Sequence, residues 1–254
     1  MTAPTAGDAD AAIKAAPYHG NPLCHVDLST DCSPDEDTYR LSTGGTCEKP
    51  AADAGDASTA AGDTTSGACR ITGNDGGIGP RCSSANAAGG DGASCQVGTD
   101  CAAGFDCVAG EAGAKACRHY CCAGTCKGQL SQNGGGTFCD VQSLVDVHQK
   151  APVCLPIKQC KLLGTGECAS NESCAVVTES GDTGCVAVGV QQVGASCDDD
   201  HCAAQLTCLG QPGSRKCYKL CKVSSSDCGT SMVCETSTVF KDPTFGTCGK
   251  PAAR

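Results

Sequence analysis

The chain has 254 residues, of which 26 are cysteine, and it carries a formal net charge of −10. Leu, Ile, Val and Phe together number only 35 and Trp is absent, so apolar burial alone cannot offset the entropy of ordering this chain. The acidic balance argues against a nucleic-acid partner, because few basic groups are available to neutralise phosphates. Cysteine at this density indicates a disulfide scaffold in an oxidising compartment, which predicts a secreted, extracellular, cell-surface or periplasmic protein.

Residues 1–23 are predicted to form a polar N-terminal leader. This segment lacks the basic start and apolar run of a signal peptide, so we expect that a signal was removed or that the numbering begins after it. No stretch of the chain approaches the ~20 apolar residues of a membrane-spanning helix. The sequence therefore predicts no membrane span.

A four-cysteine unit is the repeated element of the chain. The stretch GASCDDDHCAAQLTCLGQPGSRKC, from Gly194 to Cys217, repeats with changes the stretch GASCQVGTDCAAGFDCVAGEAGAKAC, from Gly92 to Cys117. Small residues before the third cysteine extend the pattern to six units, numbered 1 to 6 here, at 24–69, 95–117, 121–154, 160–185, 197–217 and 221–248.

The units group into three predicted regions. Residues 24–82 hold a diverged first unit whose small, polar run at 50–68 indicates a flexible linker. Residues 83–185 hold units 2, 3 and 4, and residues 186–254 hold units 5 and 6.

Six units of four account for 24 of the 26 cysteines, and we expect the remaining two, Cys82 and Cys122, to pair by exclusion. Four cysteines allow three pairings within a unit. We expect first-to-third and second-to-fourth bonds, because interlaced bonds fix two loops against each other. The expected pairs are Cys95–Cys107, Cys101–Cys117, Cys160–Cys174, Cys168–Cys185, Cys197–Cys208, Cys202–Cys217, Cys221–Cys234 and Cys228–Cys248. Unit 3 comprises Cys121, Cys126, Cys139 and Cys154, with Cys122 as the extra cysteine.

The predicted fold is small and disulfide-rich: tandem four-cysteine units with short β-hairpins and loops, little helix and no single large hydrophobic core. One hairpin is expected in SCAVVTESGDTGCVAV, residues 173–188, around a glycine-containing turn. A helix is expected in DVQSLVDVHQK, residues 140–150, because Val141, Leu144, Val145 and His148 would share one face.

Two groups of residues could bind a metal or could have a purely structural role. Zinc and iron–sulfur sites usually contain CxxC, which this chain lacks; the densest group of ligand types is Cys117, His119, Cys121, Cys122 and Cys126. The loop CDDDHC, residues 197–202, offers three carboxylates, which suit calcium. In both places we favour the structural interpretation, disulfides in the first and a solvated acidic loop in the second. We therefore predict no metal and no cofactor.

Catalysis finds no support in the sequence. The five histidines are His19, His25, His119, His148 and His201. Each is interpreted as a surface residue, and no GxSxG, HExxH or phosphate-binding glycine motif occurs. The sequence predicts a protein that is not an enzyme.

The pattern GASC…DC…C…KC followed by CxxxC, at Cys117/Cys121 and Cys217/Cys221, resembles secreted cysteine-rich repeat proteins of high-GC Gram-negative bacteria. The resemblance covers about residues 69–250, and the units are more loosely similar to EGF-like and Dickkopf-like disulfide modules. It implies export and a disulfide-stapled fold, and it carries no activity and no functional residues.

These observations predict a non-catalytic structural or adhesive protein, a subunit of an extracellular or cell-surface assembly or filament. Its partners would be other proteins or further copies of itself. The alternative is a soluble binding module or inhibitor that recognises a protein or glycan through inserted loops. The departures from the repeat mark where a recognition surface is expected: 50–68, Cys122, 140–150 and 198–201.

Overall fold

The computed structural model describes residues 46–49, 65–74, 77–83, 87–110, 113–121, 126, 130–211, 213–225 and 227–250. The predicted leader at 1–23, the linker up to residue 64, and Cys24, Cys32 and Cys122 lie outside the described residues. Predictions that concern those segments remain predictions.

Short antiparallel strands make up nearly all of the regular structure in the described residues, with a single-turn 3-10 helix at Gly98–Asp100. The strands are β1 (Thr46–Lys49), β2 (Thr65–Asn74), β3 (Gly77–Ser83), β4 (Phe105–Ala109), β5 (Lys115–His119), β6 (Thr137–Ser143), β7 (Lys150–Pro156), β8 (Glu172–Val176), β9 (Thr183–Ala187), β10 (Leu206–Leu209), β11 (Lys216–Lys222), β12 (Val233–Glu235) and β13 (Phe245–Gly249). The predicted fold class is confirmed.

The strands form small sheets that follow the units. β1, β2 and β3 make one sheet, and β4–β5, β6–β7 and β8–β9 are two-stranded hairpins. The last sheet has the order β10-β11-β13-β12. It joins two units because β11 runs without a break through both Cys217 and Cys221, so that the CxxxC spacing lies within one strand.

The hairpins place the third and fourth cysteines of a unit directly opposite each other. This register occurs in units 2 to 6, at Cys107 and Cys117, Cys139 and Cys154, Cys174 and Cys185, Cys208 and Cys217, and Cys234 and Cys248. Directly opposite residues project from the same face of a sheet, so both sulfurs point at the loop that carries the first and second cysteines. Each hairpin is stapled to its own preceding loop.

Apolar side chains form two small clusters rather than one large core. The first cluster comprises Ile71, Val108, Tyr120, Leu144, Ala151 and Val153. The second comprises Leu162, Val176, Leu220 and Phe240. The remaining buried clusters of the described residues consist of cysteines with a few small or apolar neighbours. Disulfides thus occupy the centres that aliphatic side chains fill in larger proteins.

The predicted helix at 140–150 is wrong. β6 continues to Ser143, a turn follows, and β7 begins at Lys150. Cys139 lies opposite Cys154 and Val141 lies opposite Pro152, so pairing with β7 holds the segment extended. Three apolar residues and a histidine spaced over three turns do not outweigh this ladder, and a segment rich in β-branched valine is also suited to a strand. The hairpin predicted within 173–188 is confirmed by β8 and β9.

Candidate functional site

The structure joins the cysteines of units 2, 4, 5 and 6 in the eight pairs expected from the interlaced arrangement. Unit 3 follows the same order, with bonds Cys121–Cys139 and Cys126–Cys154. The pair Cys82–Cys122 stays a prediction, because Cys122 lies outside the described residues. In β2 and β3, Cys69 lies directly opposite Cys82, which is the relation that third and fourth cysteines have elsewhere.

Three cysteines of the cluster considered for a metal are in disulfides, and Cys122 lies outside the described residues. Cys117, Cys121 and Cys126 are bonded to Cys101, Cys139 and Cys154 respectively. In the described residues, every group of three sulfurs close enough to share an ion consists of disulfide-bonded cysteines, which cannot act as thiolate ligands. The ring of His119 lies edge-on to Phe105, with 5.0 Å between the ring centroids. These sulfurs serve as structural bridges.

The acidic loop at 198–201 is engaged by the protein itself. Asp198 is buried, and its carboxylate accepts the backbone N–H groups of Gly213 at 2.9 Å and Arg215 at 3.1 Å. Asp200 pairs with the Lys150 ammonium at 2.5 Å. Among the described residues, these carboxylates do not gather into a group of three with ligand atoms in reach of one ion. The loop therefore closes unit 5 and contacts unit 3.

His201 is the residue through which this loop reaches unit 3. Its Nε2 lies 3.0 and 3.1 Å from the two carboxylate oxygens of Asp140, and both side chains are largely buried. Burial lowers the pKa of His201, but the hydrogen bond to Asp140 and the negative charge of that carboxylate raise it, and the net pKa lies above its ordinary value. Two segments singled out in the sequence, 140–150 and 198–201, are thus in contact.

A cleft of about 830 Å³ opens beside this contact. Apolar walls come from units 3, 4 and 5, through Phe138, Val176 and Leu206, while Asp140 and His201 supply polar groups at its edge. Apolar walls with a few convergent polar groups are typical of ligand sites. The exposed His148, at the tip of the β6–β7 turn, is not among the lining residues.

The cleft brings a histidine–carboxylate pair together with apolar side chains. His201 and Asp140 form a pair like the acid–base partner of a nucleophile. In the described residues, however, the hydrogen bonds of the His201 ring are to Asp140 and not to a hydroxyl or thiol. The cysteines that line the cleft are held in disulfides. The arrangement offers an ion pair and an apolar surface to a ligand.

A second polar cluster, which the sequence analysis missed, is fully buried between β2 and unit 2. The Tyr120 hydroxyl donates to the Asp106 carboxylate and accepts the backbone N–H of Ile71 at 3.1 Å. The guanidinium of Arg70 donates to the carbonyl oxygens of Phe105, at 2.5 Å, and Cys101. Burial is the main cause that raises the pKa of Asp106 to about 6, and it also raises the pKa of Tyr120 well above its ordinary value.

Sequence alone offered little signal for this cluster. Arg70, Asp106 and Tyr120 are separated by 36 and 14 positions, and nothing local marks a charged residue as buried. Tyr120 lies at the boundary between units 2 and 3, within the first apolar cluster. Its counterpart Tyr218 is exposed.

Comparison with protein-family models, with curated protein sequences and with solved structures finds no match for this chain. Among the described residues, no helix has the length and apolar character needed to cross a membrane.

Proposed function

We propose that this protein is a non-catalytic extracellular protein with a structural or adhesive role, acting as a subunit of a cell-surface or extracellular assembly. The observation that carries the proposal is the repetition of one stapled hairpin in units 2 to 6, each built from the same two interlaced bonds. Repetition of a rigid unit produces extended surface rather than a deep enclosed site. The density of disulfides supports a secreted or surface location, as the resemblance to exported repeat proteins also implies.

An exposed apolar segment supports the assembly proposal. Val188, Val190 and Val193, between units 4 and 5, are 38%, 74% and 57% exposed. The fold does not require them, because the corresponding segment before unit 2 carries Ala88 and Asp91 at the positions of Val190 and Val193. Exposed apolar side chains that are close together are typical of protein-interaction surfaces. We assign this segment as the first contact surface to test.

Size-exclusion chromatography and negative-stain electron microscopy of native material test the assembly proposal. We expect filaments or complexes of fixed stoichiometry, and we expect Val190→Ser combined with Val193→Ser to reduce them. Val97→Ser is the matched control, since Val97 is also exposed but lies in the first loop of unit 2. A strictly monomeric protein at high concentration, with no partner recovered with it, would overturn the proposal.

A second candidate function is a secreted binding module, favoured by the cleft beside Asp140 and His201. A binding protein of this kind would hold a protein loop or glycan between the apolar walls and the ion pair. Titration of the ¹⁵N-labelled chain with a glycan panel tests it by NMR. Saturable shifts confined to residues that line the cleft would support binding, whereas shifts that are absent or spread over the surface would reject it.

A further inference from the structure

We infer that the contact between units 3 and 5 is a pH-sensitive latch, in which protonated His201 holds Asp140 and loss of the proton loosens the two units. The inference is independent of the proposed function. It rests on the geometry of two ion pairs, on the charges that surround them and on the backbone that positions the loop.

Two ion pairs side by side form the latch. His201 Nε2 meets Asp140, on β6, at 3.0 Å, and the Asp200 carboxylate meets the Lys150 ammonium, on β7, at 2.5 Å. Adjacent residues of one loop therefore hold both strands of the β6–β7 hairpin. The partners are 61 and 50 positions apart in the chain, so the latch connects parts of the molecule that local structure does not bring together.

The charges that face His201 favour its protonated form. Asp140 approaches from β6 and Asp200 from the loop itself, while Lys150 on β7 opposes protonation. The Gln142 amide donates to Asp140 at 3.0 Å and keeps its carboxylate directed at the imidazole.

The remaining charges around the cleft are Asp198, Arg215 and Glu179. The carboxylate of Asp198 is taken by the backbone N–H groups of Gly213 and Arg215, within unit 5. Glu179 lies on the β8–β9 turn at the other side of the cleft and is exposed. The direct partner of the imidazole is therefore Asp140. Deprotonation of His201 removes the positive charge that pairs with this carboxylate.

The sign of the pH dependence follows from this arrangement. A histidine whose pKa is raised by a contact stabilises that contact fully below its ordinary pKa, ~6.5, and the stabilisation is lost as pH rises through the raised value. The hydrogen bond to Lys150 lowers the pKa of Asp200, so this carboxylate stays charged across that range and its contact with Lys150 remains. Deprotonation therefore loosens the latch without removing it, and the cleft that His201 and Asp140 both line becomes wider.

The backbone of the His201 loop lies close to residues 189–191, the segment before it. Gly189 lies so near that a Cβ atom added there would be 2.1 Å from the carbonyl oxygen of His201. The Gln191 N–H donates to that same oxygen at 3.2 Å, and the Gly189 N–H donates to the backbone carbonyl oxygen of Cys202 at 2.8 Å. These two amides are natural reporters, because loosening of the loop exposes them to solvent.

The experiment combines an NMR titration of the His201 ring with hydrogen exchange of the Gln191 and Gly189 amides in the full chain, corrected for intrinsic exchange rates. We expect His201 to titrate above 6.5. Protection of the two amides should fall between pH 5.5 and 8.5, by about tenfold for each pKa unit of upward shift. His201→Gln keeps a donor without the titratable charge, so its protection should not vary with pH beyond the background set by a control.

Two further variants separate the latch from general effects. Lys150→Met should lower protection at every pH, because it removes the ion pair with Asp200. The fall in protection should remain and move to higher pH, because Lys150 lowers the pKa of His201. His148→Asn, in the same hairpin, is the background control, since it removes an exposed histidine at a position with φ of 53°, which Asn tolerates. A His201 that titrates at or below 6.5, or a wild-type pH dependence that persists in His201→Gln, would overturn the latch.

Discussion

Units 2 and 5, the two GASC units, share backbone hydrogen bonds and differ in the side chains at their boundaries. In unit 2 the Gly92 N–H donates to Cys117 O at 2.9 Å, and in unit 5 the Gly194 N–H donates to Cys217 O at 2.8 Å. The parallel bridge between Gly89 and Cys101 likewise has its counterpart in the one between Gln191 and Cys202. The disulfides and these hydrogen bonds define a unit that accepts different side chains at its boundary.

The two units differ at two positions. One comes directly before the third cysteine of the unit, and the other comes directly before the first cysteine of the next unit. Unit 2 has Asp106 and Tyr120 there, and unit 5 has Thr207 and Leu220. All four side chains are buried, so these positions contact neighbours in both units. Unit 2 uses a charged network where unit 5 uses one hydroxyl and an apolar side chain.

The neighbours are also equivalent. The Tyr120 hydroxyl accepts the N–H of Ile71 at 3.1 Å, and the Thr207 hydroxyl accepts the N–H of Val176 at 3.3 Å. Ile71 follows Cys69 by two positions, as Val176 follows Cys174. The hairpin that precedes each GASC unit, β2–β3 before unit 2 and β8–β9 before unit 5, thus contacts that unit. These two positions of the repeat therefore differ in chemistry, while the disulfides and backbone hydrogen bonds of the unit are the same.

Removal of a disulfide should have the largest effect and should affect both units alike. Cys101–Cys117 and Cys202–Cys217 close loops of nearly equal sequence separation, 16 and 15 residues. Replacement of either pair by serine should lower the free energy of unfolding of that unit by about 3 kcal/mol, since loop length sets the entropy that the bond removes. Hydrogen exchange resolved by unit is the measurement. A loss in unit 2 that is several-fold larger than in unit 5 would show that boundary contacts, not staples, dominate.

The pH dependence of stability should distinguish the two units next. The folded-state pKa of Asp106 is about 6, above the ordinary 3.8, so the folded unit binds this proton more tightly than the unfolded chain does. Stability of unit 2 should therefore fall as pH rises from about 4 to about 6, by about 3 kcal/mol at ~1.4 kcal/mol per pKa unit.

Amide exchange in β4–β5, compared with β10–β11, measures this difference. Unit 5 has Thr207 at the equivalent position, so the fall should be confined to β4–β5. It should disappear in Asp106→Asn, which retains an acceptor for Tyr120. An equal fall in both hairpins would contradict the assignment to Asp106.

Composition and spacing predicted the fold class because closely spaced disulfides restrict the chain to few conformations. Once four cysteines recur at similar gaps, and a glycine-containing turn separates the last two, a hairpin with interlaced bonds satisfies the spacing. The helix predicted at 140–150 failed because periodicity is a local signal, whereas the pairing of Cys139 opposite Cys154 is set by the unit as a whole.

The pairing of Cys82 shows where exclusion and register diverge. Exclusion pairs Cys82 with Cys122, whereas the register sets Cys69 opposite Cys82, as the third and fourth cysteines of a unit would be. Mass spectrometry of non-reduced peptides decides between a bond to Cys122 and a bond to a cysteine before Cys69.

The site was only partly predictable for a related reason. The acidic loop at 198–201 and the segment 140–150 stood out as departures from the repeat, but their contact depends on how units 3 and 5 pack. No alternation or spacing encodes a pair such as Asp140 and His201, which are 61 positions apart. The cluster of Arg70, Asp106 and Tyr120 was harder still to predict from the sequence, because arginine is usually exposed in folded proteins.

Loss of the Tyr120 hydroxyl should have a moderate effect. Tyr120→Phe preserves the packing of the ring in the first apolar cluster but leaves the Ile71 N–H and the Asp106 carboxylate without this partner. Buried groups that lose a partner cost about 1–3 kcal/mol, which denaturant unfolding of the full chain would report. The Asp106 pKa should rise further, because the hydroxyl lowers it. An unchanged stability would mean that water replaces the hydroxyl.

Loss of the equivalent hydrogen bond in unit 5 should have the smallest effect. Thr207→Val preserves shape and removes only the acceptor of the Val176 N–H, at 3.3 Å, so we expect a loss of about 1 kcal/mol and no change with pH. Hydrogen exchange of the Val176 amide should report it directly. If Thr207→Val instead costs as much as Tyr120→Phe, then the boundary of unit 5 depends on its single hydrogen bond as strongly as unit 2 depends on its charged network. The two GASC units would then differ in chemistry but not in the strength with which each holds its neighbour.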